Sequence, residues 1–395
     1  MFTVTSKMAT TIVPENMAVV SNMSSDFLSS DFTTSDTLDA TSVSVNSIMT
    51  TTAMMETTTQ GDGRNFRFED PVQRIIIGCV YCLVAVVGFA GNFMVILAVI
   101  LSRKLQTRTN AFVVNLAVAD LVTCSTILFT ALALFSMNGW PLPGLPLIVC
   151  SVAAGLFYTS LGCSIINLAL IAINRFVLIT KSSRTYRSVY TPKKIAAMLV
   201  FTWGYPALVC CFPLFGIGKW GYSEKYKACG QDNSHETSDL FSLLGSLLVY
   251  PIPLIILFVC YFKIYRHITG HMKKLSGKGV ELADTSNLSS ASTKRLPRNQ
   301  PASFSKRQVE ITKNLFYVVC AFVACLAPFA ISLMIPPSDP AIPWTGMITI
   351  FNSAINPIIY GAKHPHFKEV FRHMLRYRYH MIPERSGCLR KIRSR

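Results

Sequence analysis

The sequence predicts an all-α membrane protein: a seven-transmembrane helix bundle, N-terminus outside, with a short amphipathic helix after the last span. Three observations carry that prediction. Only 14% of the 395 residues are charged, against about a quarter in ordinary soluble domains. Seven apolar stretches approach or exceed the ~20 residues that a helix needs to cross a bilayer core. They fall near 75–101, 111–135, 148–179, 195–217, 240–262, 312–335 and 342–361. The charges are also sorted by side. The segments before span one and after spans two, four and six hold 7 Lys/Arg and 14 Asp/Glu. The opposite segments, with Arg175, hold 30 Lys/Arg and 5 acids. This positive-inside bias puts the C-terminus in the cytosol. It also explains the net charge of +17 without nucleic acid, and favours anionic membrane lipids.

Residues 1–74 are rich in Ser and Thr, acidic, and almost free of aromatics until Phe66. Such a tail cannot bury enough surface to fold and reads as disordered and extracellular. No apolar h-region follows Met1, so span one is expected to act as its own insertion signal. Asn22-Met23-Ser24 is a glycosylation sequon on the outer side. Asn287-Leu288-Ser289 fits the same pattern, but its cytosolic placement predicts no glycan.

The bundle is expected over 75–361, with a long cytosolic loop at 263–311 and a cytosolic tail at 362–395. The loop carries KRLPRNQPASFSKRQ, polar and proline-containing, and reads as disordered between two helical extensions. Of 12 cysteines, nine lie in or at the ends of spans and Cys388 is cytosolic. Only Cys150, at the outer start of span three, and Cys229, in the loop after span four, face the oxidising side. Pairing of these two is expected, and two free thiols are the alternative. A bridge would tether loop 218–239 over the mouth of the bundle.

Ionisable residues inside spans are functional candidates. Asp120, in NLAVADL, is the only acid within a span. Arg175, in LALIAINRFVLIT, is the only base well inside the apolar pattern. Both must face the bundle interior, since lipid offers neither a partner. Asn92, Ser164, Asn352, Ser353 and Asn356 lie at depths compatible with Asp120. Such a group of oxygens can hold a sodium ion at Asp120, Ser164 and Asn352. The same carboxyl, protonated by burial, can equally be structural. No other cofactor is expected.

Prolines recur in the spans at 206, 213, 251, 253, 328 and 357. Each removes a helix hydrogen bond and permits a bend. Pro328 and Pro357 are the better hinge candidates, because short loops leave the last two spans freest to move. After span seven, helix 365–377 places Phe367, Val370, Phe371 and Met374 on one face, with Lys368, Arg372 and Arg376 mostly opposite. That pattern suits a helix lying on the inner membrane surface. Cys388, farther along, is a candidate for palmitoylation.

These marks resemble a known family. Gly91-Asn92, LAVAD at 116–120, Cys150, NRF at 174–176, Trp203, Pro253 with Tyr261, CLAP at 325–328 and NPIIY at 356–360 together look like a rhodopsin-like G-protein-coupled receptor. The likeness covers roughly residues 70–378. It implies a plasma-membrane receptor, not an enzyme, whose partners are an extracellular ligand, a heterotrimeric G protein and arrestin. It assigns coupling and activation roles to Asn174, Arg175, Phe176, Tyr261, Pro328, Asn356, Pro357 and Tyr360. In the family, the arginine matching Arg175 belongs to an Asp-Arg-Tyr motif and helps receive the G-protein α-subunit. The tyrosines matching Tyr261 and Tyr360 swing inward to stabilise the open state.

Two departures matter. Asn174 stands where the family usually has an aspartate, and Leu326 replaces the tryptophan of Cys-Trp-x-Pro. With TRTNAFVVNLAVADL, the NR pair looks most like the melatonin-receptor neighbourhood. That neighbourhood includes the insect moody and trapped-in-endoderm receptors and a vertebrate receptor for medium-chain fatty acids. The resemblance lines the ligand pocket with Phe157, Tyr158, Leu161, Val249, Leu326 and Phe329. Phe157 occupies the place of the aspartate in amine receptors, so the expected ligand is small, neutral or lipid-like, not a biogenic amine. A peptide held by the charged outer loop is second. A non-signalling seven-helix scaffold and a transporter using Asp120 are the competing functions. The transporter reading lacks the internal repeat such folds usually carry.

Overall fold

The computed structural model describes residues 66–136, 138–140, 144, 146–285 and 306–387, with backbone alone at 271–285, 306–315, 318 and 336–338. Asn22 and most of the tail 1–74, Asn287, the middle of the cytosolic loop and Cys388 lie outside the described residues. The helices that build the bundle are α1 (Pro71–Leu101), α2 (Arg108–Phe135), α3 (Leu147–Thr180), α5 (Pro192–Cys210), the pair α6 (Ser238–Val249) and α7 (Pro251–Thr285), α8 (Lys306–Met334) and α9 (Ile342–Lys363). A short α4 (Ser183–Val189) links α3 to α5, and α10 (Pro365–Leu375) follows α9. By length and composition, α1, α2, α3, Pro192–Phe215 and Ser238–Gly270 are long and apolar enough to cross a membrane. Val319–Met334 of α8 is a shorter apolar helix, and α9 buries a polar row of Thr349, Asn352, Ser353 and Asn356.

The boundaries follow from capping chemistry. Asp70 accepts from the amides of Val72 and Gln73, with Pro71 opening α1. Thr107 caps α2, and Thr191 caps α5 ahead of Pro192. The fifth span breaks after Val249 because Pro251 and Pro253 withdraw amide donors from the ladder. Beyond the membrane, α7 continues to Thr285 and α8 already begins at Lys306, so the cytosolic loop carries helix at both ends.

Helix α3 is the hub. In its most apolar window 72% of residues are buried, against 17% for the fourth span. The peripheral spans turn Val86, Val200, Ile252 and Phe258 outward, which suits lipid on that side. Gly162 permits the hub's closest approach: a Cβ there would sit 2.6 Å from Pro206 Cβ and 3.2 Å from Val249. Gly91 does the same for α1 against Pro357. Polar ties lock the packing. Asn92 donates to the carbonyl of Ser353 at 2.7 Å. Asn115 donates to Thr202 at 3.0 Å and accepts from Trp203 at 3.0 Å.

The outer loop after α5 folds into a hairpin of β1 (Trp220–Ser223) and β2 (Ala228–Gln231), antiparallel, with Tyr222 opposite Cys229. A disulfide joins Cys229 to Cys150 at the head of α3. Ser151 adds a 2.9 Å hydrogen bond to the carbonyl of Trp220.

Helix α10 sets its apolar face against the bundle. Phe367, Val370, Phe371 and Met374 are buried against the bundle rather than offered to lipid, and Phe367 stacks on Tyr360. An apolar face beside an equally apolar bundle end is covered there first, leaving Leu375 and Tyr377 exposed. The chain then turns back on the loop between α1 and α2. Ser386 donates to Leu101 at 2.9 Å, and Arg103 donates to the carbonyl of Glu384 at 2.8 Å.

Candidate functional site

Three polar regions stack along the bundle axis. The outermost is a cavity of about 630 Å³ between α1, α2, α3, α6, α8, α9 and the hairpin. Phe157, Tyr158 and Phe329 line it, as does Tyr81 from α1. Val249 lines a small chamber of about 50 Å³ beside it, which shares Tyr158, Gln231, Ser242 and Leu333 with the main cavity. Leu161 and Leu326 line neither chamber. Both are buried in the apolar core, at 4% and 1% exposure. Leucine side chains at those registers pack between helices instead of facing the opening.

The lining is also more polar than the spans alone predict. Thr130, Ser223, Gln231, Asn233, Asp239, Ser242 and Ser332 contribute to it, several from the hairpin and its flanks. Over the mouth, Lys225 and Tyr226 at the hairpin turn clasp Asp339 from the last outer loop. The Lys225 ammonium lies 2.5 Å and the Tyr226 hydroxyl 2.6 Å from its carboxylate. Burial, and then the bond given to Asp339, push the Tyr226 phenol well above its ordinary pKa. Phe68 ties the end of the N-terminal tail to the same turn by donating to the Lys225 carbonyl at 2.8 Å.

The middle region surrounds Asp120, which is fully buried. Asn356 donates to its Oδ2 at 2.9 Å, and the Ser164 and Ser353 hydroxyls lie within reach of the same carboxylate. Asp120 Oδ1, Ser164 Oγ and Asn352 Nδ2 are buried without a hydrogen-bond partner. The oxygens available are those of one carboxylate and nearby hydroxyls, which suit a small hard cation. Just outward of it, Thr349 donates to the carbonyl of Cys325 at 3.2 Å, one turn before Pro328, which removes an amide donor from the ladder of α8.

The innermost region holds Arg175, 6% exposed, with Nε buried and unpartnered. The phenols of Tyr261, Tyr186 and Tyr360 interact electrostatically with the guanidinium, and the Tyr261 and Tyr360 hydroxyls have no hydrogen-bond partner. Asn174 turns away from it. Its Oδ1 accepts from Thr109 at 2.7 Å, and its Nδ2 donates to the Tyr186 hydroxyl at 3.4 Å. The neutral side chain therefore ties α3 to α2 and α4 rather than restraining its neighbour. Phe176 carries Lys263 of α7 over its ring at 5.8 Å. Gln308 and Glu310, the candidates for a second restraint from α8, have side chains outside the described residues.

The hairpin clasp, Thr109, Tyr186 and the loop contribution to the cavity were not read from the sequence. Short loop strands carry little periodicity, and nothing local says which way a loop side chain will point. The "NR" pair did contain one signal, since an asparagine inside an apolar helix must find partners.

Comparison with known proteins places this geometry in context. The model for the 7 transmembrane receptor (rhodopsin family) matches residues 91–360. The alpha-1A adrenergic receptor of Mus musculus is 31% identical over 347 residues, covering 81% of this chain and 70% of that receptor. The alpha-1D adrenergic receptor of Sus scrofa is 28% identical over 338 residues, and the match covers 78% of this chain but only 58% of that longer receptor. The crystal structure of squid rhodopsin superposes with a TM-score of 0.63 at 20% identity, over 80% of this chain and 88% of that one, a likeness of fold.

Proposed function

The chain belongs to the rhodopsin family of seven-transmembrane receptors, and from that premise we propose that it binds an extracellular ligand in the outer cavity and activates a heterotrimeric G protein at its inner end. It is a multi-pass plasma-membrane receptor rather than an enzyme. The observation that carries the proposal is Arg175: a buried guanidinium facing two unpartnered tyrosine hydroxyls at the cytosolic end. A buried charge without an ion partner is costly. Opening the inner ends would give it new partners on an incoming α-subunit, with Tyr261 and Tyr360 able to take up the released space. Pro328 and Pro357 supply the bends about which the last two spans would move. Arrestin would use the same inner surface, and inner-leaflet lipids would meet the exposed Leu375 and Tyr377 beside the basic residues of α10.

The proposed ligand is small and uncharged where it meets α3. Several relatives are adrenergic receptors, so adrenergic amines are the competing class. A protonated amine needs a desolvated counter-ion to offset its own lost hydration. Phe157 lines the cavity on α3, and the carboxylates that line it are Asp339, already clasped, and Asp239 in the exposed first turn of α6. Dopamine, serotonin and histamine are therefore expected not to activate the receptor through this cavity. A micromolar response in a G-protein activation screen that other changes to the cavity lining abolish would refute this reading. Gain of such a response in Phe157→Asp would support it.

Asp120, with Ser164 and Asn352, is proposed to hold sodium in the inactive state, supported by the unpartnered oxygens of Asp120 and Ser164. When bound, the ion would supply positive charge to a buried carboxylate; the side chains only position it. Raising sodium is expected to lower agonist affinity several-fold in the wild type, and Asp120→Asn should remove that dependence. A wild-type affinity indifferent to sodium at constant ionic strength would make the carboxyl structural.

A further inference from the structure

We propose that the outer end of the bundle holds one small inorganic anion, chloride in extracellular fluid, between Arg74, Trp140 and Tyr222. Arg74 stands near the start of α1, yet it is only 4% exposed. Its Nη2 donates to the carbonyl of Ser136 at 2.5 Å, its Nε has no partner, and it makes no ion pair among the described residues. Trp140 and Tyr222, 9% and 8% exposed, bury an indole N–H and a phenol hydroxyl that are likewise unpartnered.

One short turn gathers these three groups. Ser136, which accepts from Arg74, donates through its hydroxyl to Gly139 at 2.8 Å. A Cβ on Gly139 would lie 3.5 Å from the Tyr222 hydroxyl, and Trp140 is the next residue, packed with Tyr222 and Cys150–Cys229. Arg74 interacts electrostatically with Tyr222. None of the three lines the outer cavity, so the place is distinct from the ligand chamber.

The charge balance names the occupant. Glu224 is the acid at hand, 3.6 Å from the Cβ position of Gly139, and Lys227 neutralises it at 2.7 Å. Arg74 is left as an uncompensated buried cation, an arrangement folded proteins avoid. The unsatisfied atoms are an Arg N–H, an indole N–H and a phenol O–H, all able to donate. A water here would satisfy at most two of them and would need acceptors for its own protons. The Ser136 carbonyl already accepts from Arg74 and the Gly139 amide, and the Gly139 carbonyl from the Ser136 hydroxyl, which leaves a water one free lone pair for its two protons. An anion accepts from all three and cancels the charge. Burial of the donor atoms excludes a lipid phosphate and favours a monatomic ion. Its role would be to hold the α2–α3 turn against the hairpin and the disulfide.

The test is thermal unfolding of the full-length receptor in nanodiscs, with chloride replaced by gluconate at constant ionic strength. Chloride should raise the midpoint saturably, by roughly 1–2 °C if the ion contributes about 1 kcal/mol, and bromide should substitute for it. Arg74→Gln should lose the response. Should that variant fail to fold, Tyr222→Phe should shift the chloride titration several-fold to higher concentration. Bromide-soaked crystals should give an anomalous peak touching all three donors. A wild-type midpoint indifferent to chloride, an unchanged response in Tyr222→Phe and Arg74→Gln, or an ordered water in place of the halide would overturn the proposal.

Discussion

Cys229→Ser is expected to destabilise the receptor by roughly 2–4 kcal/mol and to weaken ligand binding at the outer cavity more than tenfold. The bridge closes a loop of 79 residues. The chain-entropy argument gives about 4.5 kcal/mol for a loop of that length in a freely unfolding chain. The expected loss is smaller because helices α3 and α5 stay in the bilayer when the protein unfolds, so the reference state is already confined. The binding loss has a separate cause. Ala228, Cys229, Gly230 and Gln231 line the cavity, and the hairpin turn carries the Lys225–Tyr226 clasp on Asp339. Releasing the hairpin from α3 moves a wall and a lid together. Cys150→Ser and the double variant should match the single variant, since one bond is lost in each case. A non-reducing peptide map of surface-expressed protein with both thiols free would end the claim.

The second large effect is at the inner end: Arg175→Ala should abolish G-protein activation, and Asn174→Asp should lower ligand-free activity about tenfold. The structure gives Arg175 no carboxylate neighbour among the described residues, and Asn174 spends its amide on Thr109 and Tyr186. An aspartate could keep accepting from Thr109, with the Tyr186 hydroxyl turned to donate to it, while placing a negative charge beside the guanidinium. Hydrogen bonds to an ionised group are roughly twice as strong as neutral ones. About 1.4 kcal/mol in favour of the closed arrangement moves the open:closed ratio tenfold. The wild-type chain, lacking that restraint, is expected to exchange nucleotide on a G protein without any ligand. Apolar packing of Phe322, Leu257 and Tyr360 in the same core works the other way, so the basal rate should stay below the ligand-stimulated one.

Much of the fold was legible because a bilayer leaves few options: long apolar runs must be helices, and charge sidedness orients them. The sequence reading failed where neighbours, rather than local pattern, decide the outcome. The hairpin at 220–231 is too short and too mixed to show alternation. The apolar stripe of α10 was visible, but its packing against Tyr360 depended on the bundle's shape. At the sites, Asp120 and Arg175 stood out as charges inside apolar helices. Arg74 did not, because a base at the outer start of span one looks like ordinary flanking charge until its burial is seen. Family register places Leu161 and Leu326 at the cavity, but register fixes the helix position and not how the side chain packs.

The most direct test of the account is nucleotide exchange on purified heterotrimeric G proteins by the receptor in nanodiscs, without ligand. Exchange above a no-receptor control is expected, reduced about tenfold by Asn174→Asp and brought to the control level by Arg175→Ala in protein that still carries the Cys150–Cys229 bridge. Wild-type exchange no faster than the control across the G-protein classes, and unchanged by Asn174→Asp, would contradict it.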